Sequence, residues 1–367
     1  MTDKKFKVAI IGLQHLHPEN YMPHFVRCEN TEVVAVCEQN KNLLIPFSER
    51  HGVAAYTDID TLLDESRPDI AAIFLPHIDC EEAAIKCAQK GVHLMVEKPI
   101  AQTPAQVRNI AKAVEAAGVS ITTGYCWRYH PVVKAIKKLI SQGAIGQVVS
   151  VEARLAAGKV DRYINGNAEW MLQKDISGGG PLYNLGVHWL DLLNFVLEDK
   201  VTDVCAVNMN VCDKYDIEDG TVAMLKFAKG VVGILDTSYI VPDCYPNGRD
   251  LYIGIKGTNG VLSYAPGYEG EAGSGGAAQN DVLEIYSDSE KLAGSAARKM
   301  SFQLDRTPGY SGYMGRAYIE EFVDSLIKAQ KPFITIEQAA DVLDVVEAIY
   351  KSDSQGGWVK VLKIINN

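Results

Sequence analysis

Three short stretches carry side chains able to move protons or hold charged groups. In VHLMVEKPIAQT an apolar run ends at Glu97, Lys98 and Pro99. A strand read this way delivers Lys98 to its carboxyl end, the edge at which open α/β sheets bind ligands. Desolvation there draws a lysine pKa toward neutrality, so the group can give or take a proton; a solvated strand end is the plain alternative. In DISGGGPLYNLGVHWLDLLNFVLE three glycines lead into a helix carrying Asn184, His188 and Asp191. Offsets of four and three place these on one face, with Leu182, Leu185, Trp189, Leu192 and Val196 covering the core side. His188 can act as acid or base near neutral pH, and Asp191 one turn on can fix its tautomer. A capped helix with an incidental polar face is the rival reading.

The third stretch is FKVAIIGLQHLHPENYMPHF, a strand running into Gly12 at a tight turn before a helix. In that arrangement backbone N–H groups and the helix N-terminus face a pyrophosphate. Of the glycines in G-x-G-x-x-G only the first is present; Gln14 and His17 stand at the second and third positions. Glu38 ends the second strand some 26 residues after Gly12, near the ~20-residue offset at which an acidic side chain meets ribose hydroxyls. A carboxylate there repels a 2′-phosphate, so NAD is expected over NADP. A polar strand end explains Glu38 equally well. His15, His17 and His24 with Cys28 offer zinc-ligand chemistry, but their spacing fits no common zinc pattern. They read as surface or cofactor-lining histidines, and no metal is expected.

These residues need strands and helices to hold them. Over the first ~120 residues, KVAIIG, TEVVAVCE, DIAAIFLP, VHLMVEKP and VSITTG alternate with helical segments, the pattern of a doubly wound parallel sheet. The helix before VSITTG is marked by Thr103 as N-cap, Pro104 at the first position, Gln106 closing a capping box, Val107, Ile110 and Val114 on one face, and Gly118 as C-cap. From Tyr125 the texture changes to PVVKAIKKLI, a SQGAIG turn and alternating stretches such as QVVSVEARL, VTDVCAVNMNV and GTVAMLKF, which predict a mostly antiparallel α+β domain. The boundary is set at 124/125, giving a dinucleotide-binding domain over 1–124 and a substrate domain over 125–367. The glycine-rich stretch 266–280 reads as a flexible surface loop. Two amphipathic helices and a WVKV strand close the chain.

A chain of 367 residues exceeds one hydrophobic core, in keeping with two domains. Its net charge of -10 argues against a nucleic-acid partner held through phosphates. Eight cysteines without a C-x-x-C pair read as reduced core residues of a cytoplasmic protein. The amino terminus lacks a signal-peptide apolar run, and no membrane-spanning run is present.

Taken together, GLQHLH after the first strand, VAVCE after the second, VEKPIAQTPAQV, GYCWRYHPVVKAI, GAIGQV, SGGGPLYNLGVHWLDLL and EAIYKSDSQGGWVKV resemble the Gfo/Idh/MocA family of oxidoreductases over nearly the whole chain. The resemblance implies a Rossmann domain for NAD, with NADP as the other option, and a carboxy-terminal domain with a large open sheet that often forms a homodimer or homotetramer interface. It implies polyhydroxylated small-molecule substrates: sugars, cyclitols, sugar acids or nucleotide-linked sugars. Lys98 and His188 match the family's catalytic pair, and Arg128 an arginine beside the cofactor that also reaches the substrate. Gln14, His15 and Leu16 fall in the cofactor turn, Leu75, Pro76 and His77 in the nicotinamide-side cleft, with Glu97 beside the lysine. Cys80 stands where the family often has His, and Asn184 where many members have Asp; Asn184 is expected to orient substrate with Asp191 and Trp170. Arg154, Arg162 and Arg249 are further candidates for the cleft wall. A sensor that binds without turnover, and a redox-neutral hydrolase or isomerase retaining NAD, are the alternatives.

Overall fold

The computed structural model describes residues 5–158, 160–212, 214–242, 244–267, 280–292 and 294–362. Its first sheet is built from β1 (Phe6–Ile11), β2 (Thr31–Cys37), β3 (Ala54–Tyr56), β4 (Ile70–Ile73), β5 (His93–Val96) and β6 (Ile121–Thr123), in the order β3-β2-β1-β4-β5-β6. Every pairing is parallel. The central strands are apolar on both faces because helices cover both sides, and β4 is buried at all four positions. The Pro104–Ala117 helix forms as its sequence signals dictate, with the reciprocal Thr103–Gln106 capping box and Gly118 in the left-handed C-cap conformation.

The second sheet comprises β7 (Val148–Ala157), β8 (Val201–Met209), β9 (Gly220–Phe227), β10 (Val232–Ser238), β11 (Arg249–Gly257), β12 (Gly260–Tyr264), β13 (Asn280–Ser287), β14 (Ala297–Gln303) and β15 (Val359–Lys360). Their order is β14-β13-β12-β11-β7-β10-β9-β8-β15. Only β7 and β10 run parallel; the other neighbours are antiparallel. One face is covered, with the Val187–Leu197 helix on β7 and the Ile336–Gln355 helix on β8. On the other face Val207, Val222, Met224, Val232 and Ile234 are exposed, and the register sets Met224 opposite Ile234 and Val222 opposite Val207. The Ile336–Gln355 helix also packs against the Pro104–Ala117 helix, where Arg108 donates to both oxygens of Asp344 at 2.6 Å.

Two expectations meet the structure unevenly. Five cysteines lie in the core, but Cys205 is half-buried and Cys212 and Cys244 are exposed. The expected loop at 266–280 falls mostly on 268–279, outside the described residues. Among the described residues no helix is long and apolar enough to cross a membrane.

Candidate active site

Lys98 follows β5 and turns its ammonium into a cleft under the second sheet, where it is 2% exposed. Its Nζ donates to the backbone oxygen of Asn184 at 2.8 Å and to Asn184 Oδ1 at 2.6 Å. Desolvation lowers the Lys98 pKa to about 8, opposed by the neighbouring Glu97 carboxylate. Asn184 is oriented from its other side, since its Nδ2 donates to Tyr163 Oη at 2.5 Å and to Tyr239 Oη at 3.1 Å. Arg162 supports this pair by donating to Tyr163 Oη at 2.6 Å and to the Gly158 carbonyl. The cleft is lined by Lys98, Asn184 and His188 together with His17, Arg162, Tyr163, Arg249, Tyr310 and apolar residues from both domains. Burial, then the nearby Lys98 and His17, hold His188 well below the usual imidazole range. It therefore stands neutral at neutral pH, able to accept or donate one proton.

The expected single helix face is not formed. Leu182–Gly186 is a wide π-type turn that runs into the α-helix at Val187. The extra residue in that turn changes the angular offset between Asn184 and the residues beyond it. Asn184 and His188 face the cleft, whereas Asp191 lies behind it in a separate cavity with Arg128. Asp191 does not fix the His188 tautomer, because both its oxygens are engaged by Arg128, from Nε at 2.8 Å and from Nη2 at 2.5 Å. Arg128 also donates from Nη1 to Gln338 Oε1 at 2.8 Å. This buried pair thus ties the site helix to the closing helix, and neither member lines the substrate cleft.

At the other end of the first sheet, Gly12 adopts φ +89°, and a Cβ there would sit 2.9 Å from the Phe74 carbonyl oxygen. Glycine is needed at this position for the chain to cross the end of β4. Glu38, 4% exposed, accepts from the amides of Leu13 and Asn40 at 2.8 Å and from Gln14 Nε2 at 3.1 Å. The cleft beside it is lined by Gly12, Gln14, Glu38, Asp58, Leu75, Pro76, Asp79, Glu82 and Lys86. These residues fit the adenosine side of a dinucleotide, because carboxylates at the end of the sheet can accept hydrogen bonds from ribose hydroxyls. Cys80 points its thiol at the carbonyls of Leu75 and Pro76, at 3.5 and 3.4 Å, and burial pushes its pKa up.

The turn itself is covered. Trp170 Nε1 donates to the Gln14 carbonyl at 2.5 Å, and Leu16 packs on Gly166 so tightly that a Cβ has no room there. His77, expected on the nicotinamide side, bonds the Ser177 carbonyl at 2.6 Å through Nδ1 and meets Trp170 edge-on at 4.8 Å. His15, His17 and His24 are buried rather than on the surface; His24 Nε2 contacts the Tyr310 carbonyl at 2.8 Å. Of the other candidates, Arg162 and Arg249 line the substrate cleft, while Arg154 pairs with Asp250 and Glu152. Sequence reasoning passed over Tyr163, Tyr239 and Tyr310, and it read His17, the side chain in place of the third glycine, as a surface or cofactor-lining histidine, whereas the structure buries it against the cleft that holds Lys98.

A parallel nucleotide-binding sheet that hands a buried lysine to a cleft beneath an open antiparallel sheet defines a two-domain oxidoreductase. Residues 6–125 match the NAD-binding Rossmann-fold domain of the Gfo/Idh/MocA oxidoreductase family and residues 137–361 its C-terminal alpha/beta domain, and the chain belongs to this family. It is 25% identical over 259 residues to D-glucoside 3-dehydrogenase of Escherichia coli (strain K12), covering 65% of this chain and 72% of that protein. It is 21% identical over 365 residues to D-xylose 1-dehydrogenase (NADP(+)) 2 of Haloferax volcanii, covering 96% and 99% of the two chains. Among solved structures, levoglucosan dehydrogenase in complex with NADH and L-sorbose superposes with a TM-score of 0.83 at 20% identity, covering 98% of this chain and 100% of that one; this likeness is one of fold.

Proposed function

We propose that the chain is a dehydrogenase or reductase acting between a secondary alcohol and the corresponding ketone of a polyhydroxylated substrate, with NAD as its cofactor. The bound nicotinamide supplies or accepts the hydride. The observation that carries this reading is Lys98, a buried ammonium whose two bonds go to neutral oxygens of Asn184. With no carboxylate bonded to it, Lys98 is placed to hold the substrate oxygen and exchange its proton. Neutral His188 faces the same space and assists, and Asn184, clamped by Tyr163 and Tyr239, orients a hydroxyl. Gly12, Gln14 and Glu38 would hold the adenosine side, with Leu75, Pro76 and His77 toward the nicotinamide side.

The substrate cleft carries Lys98, Arg162 and Arg249 and, among its described lining residues, no carboxylate. The test is a fluorescence titration of cofactor-stripped protein with NADH and with NADPH, followed by turnover on neutral sugars and sugar acids. NADH is expected to bind at least ~10-fold more tightly, one carboxylate–phosphate repulsion of about 1.4 kcal/mol sufficing for that. Glu38→Gln should narrow the gap. A preference for NADPH would remove the role given to Glu38. No binding of either nucleotide, with no turnover, would replace the dehydrogenase by the binding-only sensor that the covered turn favours.

The exposed Val207, Val222, Met224, Val232 and Ile234 form an apolar sheet face that a second copy of the chain would bury. Light scattering is expected to give a dimer or tetramer, and Met224→Lys to shift it toward monomer because a charge buried without a partner is costly. A monomeric wild type would refute this assignment.

A further inference from the structure

Beneath the covered turn, three polar side chains meet that the proposed chemistry does not use. His15 and His17 come from the turn after β1 and Glu97 from the end of β5. All three are buried, and one ligand-capable atom from each lies within 4.8 Å of the others. His15 Nε2, His17 Nδ1 and Glu97 Oε1 are buried with no hydrogen-bond partner among the described residues. A single orphaned buried polar atom costs about 1–3 kcal/mol. Three such atoms on side chains that offer ligand atoms within 4.8 Å of one another point to a shared group.

The spacing identifies the kind of group. His17 Nδ1 lies 3.3 Å from Glu97 Oε2, yet His17 Nδ1 has no hydrogen-bond partner. Two ligand atoms each about 2.0–2.1 Å from a tetrahedral Zn²⁺ stand about 3.3–3.4 Å apart, a separation this one pair meets, whereas the three ligand atoms together lie within 4.8 Å of one another and draw in on metal uptake. Two imidazoles and one carboxylate are a ligand set for zinc and other divalent first-row metals. Three protein ligands leave a fourth position open, the arrangement of a catalytic rather than a structural site. That position has a route to substrate, since His17 also lines the cleft shared with Lys98 and His188.

We propose that His15, His17 and Glu97 form a mononuclear site for a divalent transition metal, Zn²⁺ by its ligand set, with the open coordination position toward the substrate cleft. A metal there would bind a substrate oxygen next to Lys98 and polarise it. One existing contact must change on uptake: the His17 amide donates to His15 Nδ1 at 3.1 Å, which leaves the ring proton on Nε2. Ligation through Nε2 moves that proton to Nδ1, so the amide bond opens or the ring turns over. The set was hidden from local spacing because its carboxylate comes from a different strand, whereas the neighbouring His24 and Cys28 take no part.

The test uses the untagged full-length chain, dialysed against chelator and titrated with Zn²⁺ and with Co²⁺ without nucleotide. The expected result is about one metal per chain, an intense visible Co²⁺ absorption band from low-symmetry coordination, and a rise in melting temperature on metal addition. His15→Ala and Glu97→Gln should each weaken uptake at least ~100-fold, more than the 10–100-fold typical of losing an outer-shell partner. His51→Ala, at an exposed contact with Glu19, should bind as the wild type does. Wild-type protein that takes up no Co²⁺ and shows no band would overturn the proposal without recourse to any variant. So would stoichiometric binding that folded His15→Ala and Glu97→Gln retain. Because the band and the stoichiometry are read without turnover, they stand apart from the outcome of the dehydrogenase assay.

Discussion

Lys98→Met is expected to lower kcat/KM about 10³-fold, within the 10²–10⁴-fold range of a positioned acid or base. Methionine keeps most of the lysine's length and removes only its charge and proton. The Lys98 ammonium is buried, so its loss also relieves a desolvation cost. Against this, the two Asn184 oxygens that it bonds lose their partner, a penalty of about 1–3 kcal/mol. The opposing contributions should leave the melting temperature close to that of the wild type. NADH affinity measured alongside separates chemistry from cofactor binding. Undiminished turnover in Lys98→Met would end the acid/base assignment, whereas a loss confined to NADH affinity would reassign Lys98 to the cofactor.

Breaking the Arg128–Asp191 pair should be the most damaging single change to stability. Both residues are at most 2% exposed, and Asp191 receives two guanidinium bonds. Removing one partner leaves the other charge buried and uncompensated, which costs about 3–5 kcal/mol. Asp191→Ala is therefore expected to lower the denaturant midpoint sharply, with Arg128 also losing the anchor that orients it toward Gln338. Replacing both partners by apolar residues, as in Arg128→Met with Asp191→Leu, should recover much of the loss, because two desolvation penalties disappear together. A double-mutant cycle in urea measures this. If Asp191→Ala costs less than about 1 kcal/mol, the figure typical of an exposed pair, the pair is not carrying the charge burial assigned to it.

The parts of the site legible in the sequence were those signalled by local chemistry. A capping box and a C-cap glycine defined the Pro104–Ala117 helix, and an apolar run ending in Glu97 and Lys98 located the strand that delivers the lysine. Glycines ahead of a hydrophobic helix pointed to Asn184 and His188. Asp191 was misplaced because sharing a helix with His188 does not fix which partner a side chain meets: both sit in the regular Val187–Leu197 helix, and Arg128, 63 residues earlier in the chain, takes both Asp191 oxygens. Tyr163 comes from a five-residue helix, Asp161–Asn165, Tyr239 follows the end of β10 and meets Asn184, and Tyr310 lies in a turn, all too short or irregular for period 3.6 or period 2 to report direction. Glu97 could be read as a neighbour of Lys98, but its meeting with His15 and His17 depends on β1, β4 and β5 being adjacent, which is a property of the sheet and not of any segment.

The Gln14 residue that replaces a glycine touches both halves of the molecule at once. Its side chain holds Glu38 at the nucleotide end, and its carbonyl holds Trp170, which sits in the segment that also brings Arg162 and Tyr163 to the substrate cleft. An occupant that repositions Glu38 therefore pulls on the wall of the other cleft through two hydrogen bonds. Any coupling carried by this connection is reciprocal: whatever factor nucleotide binding imposes on the affinity of the Lys98 cleft for its ligand, that ligand must return to nucleotide affinity. A glycine at this position would have kept the backbone bond to Trp170 and lost the side-chain bond to Glu38, leaving the two clefts joined through the backbone alone.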